Sequence, residues 1–304
     1  MRVHFDNRPA TDPRGIGRYT RCMLEALEET AGTNELVVGP RARGADVFHS
    51  PWIDGVRVRS PCAQVVTLHD LIPLKRRSEY LRTGVRFKLR YMAVERAARI
   101  IVPTEAVAQD ALERLDVERD RLVVIPEAAA ASMRPTSAAE VAGVRERYNL
   151  PEQYLLWVGG LEHPDPRKRV AALADTPRDM PLVLVGPTKA WAHELPDVTL
   201  TGHVSDDELA AIYTGARALV LASDDEGFGL PTVEALACGT PVVACDVPAL
   251  REHLTGKATF VGHDDLRGLL AAAATAERPA PAAPTWTWQD AARATWEVYG
   301  EAVR

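Results

Sequence analysis

The sequence predicts an α/β protein made of two Rossmann-like domains in tandem. Two observations predict it. Short apolar, β-branched runs alternate with helix-length amphipathic segments along most of the 304 residues, a pattern that implies parallel sheets covered by helices on both faces. The alternation also runs through twice, with a break at Tyr-Asn-Leu-Pro-Glu-Gln (148–153). The first domain is therefore set at residues 1–148 and the second at 149–287.

In the first half the expected strands are Val3–Phe5, Leu36–Val38, Val47–His49, Gln64–Leu68, Arg99–Val102 and Leu122–Ile125, with helices at Gly17–Glu29, Thr83–Ala97 and Glu105–Leu115. In the second half they are Tyr154–Val158, Leu182–Val185, Val198–Leu200, Ala218–Leu221, Pro241–Ala244 and Thr259–Val261. A Pro- and Ala-rich stretch at Arg278–Pro284 reads as a linker. After it, Trp286 to Tyr299 reads as an amphipathic helix whose aromatics are spaced for packing.

Composition narrows the class. With 46% hydrophobic and 26% charged residues the chain is an ordinary globular protein. Its net charge of −6 argues against a general nucleic-acid binder. No apolar run approaches the roughly 20 residues of a membrane span. The N-terminal Met-Arg-Val-His-Phe-Asp lacks a signal-peptide layout. Cys22, Cys62, Cys238 and Cys245 have no zinc-type spacing and read as free thiols, so a cytoplasmic setting is expected.

Most of the chemical information lies in residues 218–245, ALVLASDDEGFGLPTVEALACGTPVVAC. A strand ends in a glycine-containing loop, Pro231 opens a helix as its first residue, and Gly239 closes it. Ligands bind at such loops, at the C-terminal edge of doubly wound sheets. Gly227 and Gly229 allow close backbone approach, and the amides at the helix start suit a diphosphate. Glu226 and Glu234 would repel phosphate, so each is expected to face hydroxyls: Glu234 a ribose diol, Glu226 the sugar at the other end. A helix-start carboxylate stabilised by the dipole accounts for Glu234 alone, but not for the whole pattern.

The spacing Glu226-x7-Glu234 within EGFGLPTVEALACGTPVV resembles the signature of the GT-B glycosyltransferases of family GT4. Further matches follow in the family's order: DPRGIGRYT (Asp12–Thr20), VVTLHDLIPL (Val65–Leu74), IVPTEAVAQD (Ile101–Asp110), LVVIPEA (Leu122–Ala128) and LTGHVSDDELAAIY (Leu200–Tyr213). The resemblance implies a GT-B fold, two Rossmann-like domains facing a cleft, with the C-terminal helix 288–304 crossing back to the first domain. It implies a retaining hexosyltransferase that uses a nucleotide-diphosphate sugar as donor substrate, with no cofactor and no metal.

By the same resemblance, Glu226 contacts the transferred sugar near the reacting carbon and Glu234 holds the ribose. The backbone of Gly227, Phe228, Gly229 and Leu230 lines the sugar and diphosphate. Arg167 and Lys168 supply the cations for the leaving diphosphate. Here the loop is about two residues longer than usual, which leaves Arg169 as a substitute for either. His69, at the end of a strand, contacts the donor sugar and assists catalysis; a structural His69–Asp70 pair is the plainer alternative. Gly17 lets a backbone amide approach donor or acceptor. It is not part of a dinucleotide fingerprint, because Thr20 stands where the third glycine belongs. Asp224-Asp225 invites a metal reading, but the basic pair already answers the diphosphate charge. No carboxylate nucleophile stands out for a covalent route, so same-face attack is favoured, with closure of the domains excluding water.

The acceptor carries a hydroxyl, on a glycan, a lipid-linked sugar or a small metabolite. The base (uridine, guanosine or thymidine) is left open. Competing readings are a sugar phosphorylase, a nucleotide-sugar epimerase and a non-catalytic sugar-nucleotide-binding subunit. The basic, apolar-interleaved stretch 75–99 reads first as a solvated helix face and second as a peripheral contact with an anionic leaflet.

Overall fold

The computed structural model of the chain describes residues 1–76 and 85–304. It contains two compact units, Met1–Glu127 with Trp286–Arg304, and Ala128–Thr285.

The first unit holds strands β1 (Arg2–Phe5), β2 (Glu35–Val38), β3 (Val47–Ser50), β4 (Ala63–Thr67), β5 (Arg99–Val102) and β6 (Leu122–Val124). Its helices before the second unit are α1 (Gly15–Glu29), α2 (Ile72–Lys75), α3 (Val85–Glu95) and α4 (Glu105–Arg114). The strands form a parallel sheet in the order β2-β1-β3-β4-β5-β6. The second unit holds α5 (Ala138–Tyr148), β7 (Leu155–Val158), α6 (Val170–Asp175), β8 (Leu182–Val185), β9 (Val198–Gly202) and α7 (Asp206–Gly215). It continues with β10 (Ala218–Leu221), α8 (Leu230–Ala237), β11 (Val242–Cys245), α9 (Pro248–Leu254), β12 (Thr259–Val261) and α10 (Leu266–Ala274). Its sheet is parallel in the order β12-β11-β10-β7-β8-β9. All twelve expected strands are present among the described residues. For the central strands the reason is physical: a strand buried on both faces is written as a continuous apolar run. Leu155–Trp157, Leu182–Val185 and Leu219–Val220 are almost wholly withdrawn from solvent, each large side chain contributing roughly 1.5–3 kcal/mol.

The second sheet reverses its winding between β7 and β10, the switch point at which doubly wound folds bind ligands. The loops after both strands are placed there by topology alone.

The division between the units falls at Glu127–Ala128, not at residue 148. The expected boundary rested on Asn149, which indeed ends α5 in a left-handed conformation, φ 50°. But α5 turns its buried Val141 and Val144 toward the second unit: Val141 lies against Gly215 of α7, and Thr136 N–H donates to Thr214 Oγ1 at 3.2 Å. The last helix, α11 (Trp288–Ala302), is capped by Thr287 and Asp290. It packs on α1, where Trp296 Nε1 donates to Thr30 Oγ1 at 3.2 Å and Thr295 lies 3.9 Å from the Met23 sulfur.

No helix among the described residues is long and apolar enough to cross a membrane.

Candidate active site

In the second unit, the loop after β10 and the loop after β7 are laced together. Pro166–Lys168 forms a single helical turn capped by Asp165. The carbonyl of Arg167 accepts the Asp224 N–H at 3.0 Å. Its guanidinium donates to Glu226 Oε2 at 2.8 Å, to the Asp225 carbonyl at 3.2 Å and to Asp165 Oδ2 at 3.2 Å. Both side chains of the Arg167–Glu226 pair are largely buried, 15% and 13% exposed, so the pair is weakly screened and holds the first of the two glutamates in one place. Lys168 lies with its ammonium 5.7 Å from the Trp157 ring centre. Arg169, in a left-handed conformation, is turned to the carbonyl of His263. The three neighbouring cations are thus sorted by their local partners.

Gly229 adopts φ +86° and caps α8. A side chain there would be strained and would meet Leu250 Cδ2 at 2.6 Å. Helix α8 starts at Leu230, so Pro231 is its second residue, a shift of one from the expected start. Glu234 is buried at 2% exposure and accepts the Tyr213 hydroxyl at 3.1 Å. Phe228 stacks on His253 of α9, with centres 4.2 Å apart and planes 9° from parallel. The loop between the two glutamates is therefore backed by an aromatic pair. Asp224 and Asp225 precede it, and no cluster of three or more metal-ligating side chains occurs among the described residues.

In the first unit, His69 follows β4 at the C-terminal edge of the sheet. Its partner is Glu127, with Nδ1 2.9 Å from Oε1, and not the adjacent Asp70, whose Oδ1 accepts the Ile72 N–H at 3.1 Å. Gly17 has a local reason for its missing side chain. A Cβ would lie 1.8 Å from the Asp12 carbonyl oxygen, and the Gly17 amide donates to the Arg14 carbonyl at 3.0 Å.

Sequence reasoning does not single out Glu127, Tyr213 or His253. Glu127 and Tyr213 lie inside family-like segments, but nothing local says which side chain each will meet. His253 belongs to no motif.

Two histidines with shielded ring nitrogens have a consequence for stability. Burial pushes His49 down to about 3 and His253 down to about 4. Both folded-state values lie below the ordinary one, so the unfolded chain takes up protons first as pH falls. The stability each contributes is complete above pH ~6.5 and is lost as pH falls through the folded-state values, at ~1.4 kcal/mol per unit for each group. His69, whose pKa is raised, works in the opposite direction. Urea midpoints measured at pH 7, 6 and 5 are expected to fall progressively, and His253→Leu to flatten the decline. A midpoint independent of pH over that range would contradict the shielding of neutral histidines.

Comparison with known proteins gives a consistent result. Residues 152–277 match the family model for glycosyl transferases group 1, and residues 40–129 match that for Glycosyltransferase Family 4. The chain is 30% identical over 246 residues to the serotype-specific mannosyltransferase WbdA of Escherichia coli, covering 71% of this chain and 30% of that protein. It thus spans about a third of the length of the first relatives it matches. It is 29% identical over 335 residues to the D-inositol 3-phosphate glycosyltransferase of Salinispora tropica, covering 90% of this chain and 67% of that one. Among solved structures, sucrose-phosphate synthase from Thermosynechococcus elongatus superposes with a TM-score of 0.70 at 19% identity, covering 100% and 96% of the two chains. HepE of Anabaena, described in complex with UDP and glucose, gives 0.70 at 14% identity with the same coverage. WaaG, a glycosyltransferase involved in lipopolysaccharide biosynthesis, gives 0.69 at 16%, covering 99% and 97%.

Proposed function

The chain belongs to the family 4 glycosyltransferases and has their GT-B fold, and from this premise we propose that it is a retaining, metal-independent hexosyltransferase. It takes a hexosyl group from a nucleotide-diphosphate sugar and passes it to a hydroxyl on a glycan, a lipid-linked sugar or a small metabolite. One arrangement carries the reading. At the switch point of the second sheet, a glycine turn is flanked by two largely buried glutamates, and the first of these is held by Arg167.

In this reading Glu234 accepts the ribose hydroxyls, with Tyr213 fixing its carboxylate. The α8 amides, the backbone of Gly227 to Leu230, Arg167 and Lys168 receive the diphosphate, and Glu226 meets the sugar. His69 serves catalysis. The bond from the anomeric carbon to the leaving phosphate oxygen breaks with its electron pair on that oxygen. The acceptor oxygen bonds to the same face of the carbon, and its proton passes to the leaving phosphate. No enzyme nucleophile is needed.

The test is a thermal-shift screen against UDP, GDP and TDP, followed by transfer assays with the corresponding sugar nucleotides and NMR assignment of the product anomer. UDP is the first to try, since a structural neighbour is described with it. Support requires a nucleotide-dependent rise in melting temperature and a product of unchanged anomeric configuration in the presence of EDTA. Turnover that needs free phosphate, or that proceeds with no acceptor, would replace the reading with a phosphorylase or an epimerase.

For the described part of the stretch 75–99, we infer a solvated and internally paired surface. Lys75 pairs with Asp110 at 2.9 Å, Arg90 with Asp54 at 2.7 Å and Arg99 with Glu301 at 3.3 Å. Among the residues whose side chains are described, the peripheral-membrane alternative is left with exposed Lys88, Leu89 and Met92 on α3 and Arg96 just after it; residues 77–84 of the stretch lie outside the described ones. Co-sedimentation with phosphatidylserine vesicles at physiological salt would overturn the solvated reading.

A further inference from the structure

Both ring nitrogens of His69 face oxygen acceptors. Nδ1 lies 2.9 Å from Glu127 Oε1, and Nε2 lies 3.0 Å from the carbonyl oxygen of Pro51. A backbone carbonyl only accepts, so Nε2 carries a hydrogen. An ionised carboxylate also only accepts, so Nδ1 carries one as well. From this geometry we infer that Glu127 is a positioning residue that fixes His69 as an imidazolium, a cation and not a base. An imidazolium with both N–H groups engaged has no lone pair with which to take a proton from an acceptor hydroxyl. It can only orient and stabilise negative charge, which fits the route in which the leaving phosphate receives that proton. The inference rests on the catalytic role given to His69 under the proposed function, and goes beyond it in naming the residue that sets its charge.

The surroundings agree from every side. Glu127, just past β6, is itself 7% exposed, so its carboxylate has a charged partner in place of water. Asp70, next in the chain, adds negative charge. On α1, Tyr19 stands edge-on to the imidazole with centres 4.5 Å apart, but its hydroxyl is engaged with Thr67 Oγ1 at 3.0 Å, so it does not compete for a His69 nitrogen. His49 on β3 is wholly buried and bonded through its two nitrogens to Tyr299 and Thr67. Its pKa near 3 leaves it neutral, so it does not repel a charged His69 at neutral pH. Burial of His69 works against its charge, but the hydrogen bond and charge of Glu127 outweigh it, and its pKa is raised. The charge is therefore present below that raised value and is lost as pH rises through it.

The test pairs a charge measurement with a rate measurement. In 15N-histidine-labelled protein at pH 7.5, both nitrogens of His69 are expected at imidazolium shifts, with the assignment made by His69→Gln. Glu127→Gln keeps an oxygen that can accept from Nδ1 but removes the negative charge, so His69 should titrate at lower pH. The alkaline limb of kcat/KM should then move down by about 1 pH unit or more, with a loss of about tenfold at pH 8 and a smaller one at pH 6. A His69 carrying one bare nitrogen at pH 7.5 would overturn the inference, as would a Glu127→Gln profile lowered uniformly with its limb unmoved. If instead His69 is an imidazolium but His69→Ala transfers sugar at the native rate, the catalytic reading of His69 fails while the charge assignment stands.

Discussion

Replacing Glu226 with alanine is expected to lower kcat by about 10²–10³-fold, as removal of a preorganised charged group from a reacting centre generally does. Two losses combine. The sugar loses a charged acceptor, worth roughly 1.5–3 kcal/mol per hydrogen bond. Arg167 loses the closer of its two carboxylate partners, and at 15% exposure its side chain is poorly placed to recover that interaction from water. The fold should survive, because the Asp224 N–H still anchors the loop on the Arg167 carbonyl. Affinity for the free nucleotide diphosphate should change far less than kcat, since the ribose contact is assigned to Glu234. Glu226→Gln, which keeps shape and loses charge, should fall between the two. Steady-state kinetics beside nucleotide titration separates these terms, and native turnover by the alanine variant would remove the central residue of the proposed site.

The largest structural effect is expected at Gly186, just beyond β8. Its φ of +142° lies outside the range that side chains tolerate, and an added Cβ would stand 1.9 Å from the carbonyl oxygen of Gly159, just beyond β7. The obstacle is backbone on both sides, held by Gly159 N–H to the Val185 carbonyl at 2.9 Å and Gly186 N–H to the Gly202 carbonyl at 3.0 Å, so no side-chain rotation relieves it. Gly186→Ala should therefore cost about 3–5 kcal/mol, the sum of backbone strain and overpacking. In a domain of this size that lowers the melting temperature of the second unit by roughly 10 °C. Gly202→Ala is the control. Its φ is +74°, but no atom lies within 4 Å of the added carbon, so only the local strain of about 1–2 kcal/mol remains. Equal shifts for the two variants, measured by calorimetry, would show that the contact with Gly159 is not what requires glycine.

Much of the site's placement is legible in the amino-acid order, and for local reasons. Pro231 and Gly239 bracket a helix because one has no N–H to leave unpaired and the other tolerates φ +74°. With an apolar run on either side, they place Glu226 in a loop on a sheet edge and Glu234 about a turn into the helix that follows it. The domain boundary is misread for the converse reason. Asn149 and Pro151 mark where a helix stops, but whether that helix belongs to the unit before or after it depends on what Val141 and Val144 touch. At Gly17 the amino-acid order records only that space is needed, and the structure shows the Asp12 carbonyl standing where a side chain would lie.

What the chain's own order determined is the element list, the parallel sheets and the loop that carries the proposed site, because burial on two faces and helix capping are settled within a few neighbouring residues. Tertiary structure alone decided the partners: Arg167 with Glu226, Tyr213 with Glu234, His253 beneath Phe228, and Glu127 with His69. Charge and hydrogen bonding act through space over a few ångströms, and the groups concerned lie 21 to 59 residues apart along the chain. No local pattern encodes which of many acids and bases will meet, so the charge state of His69 and the fixed position of Glu226 emerge only when the strands align.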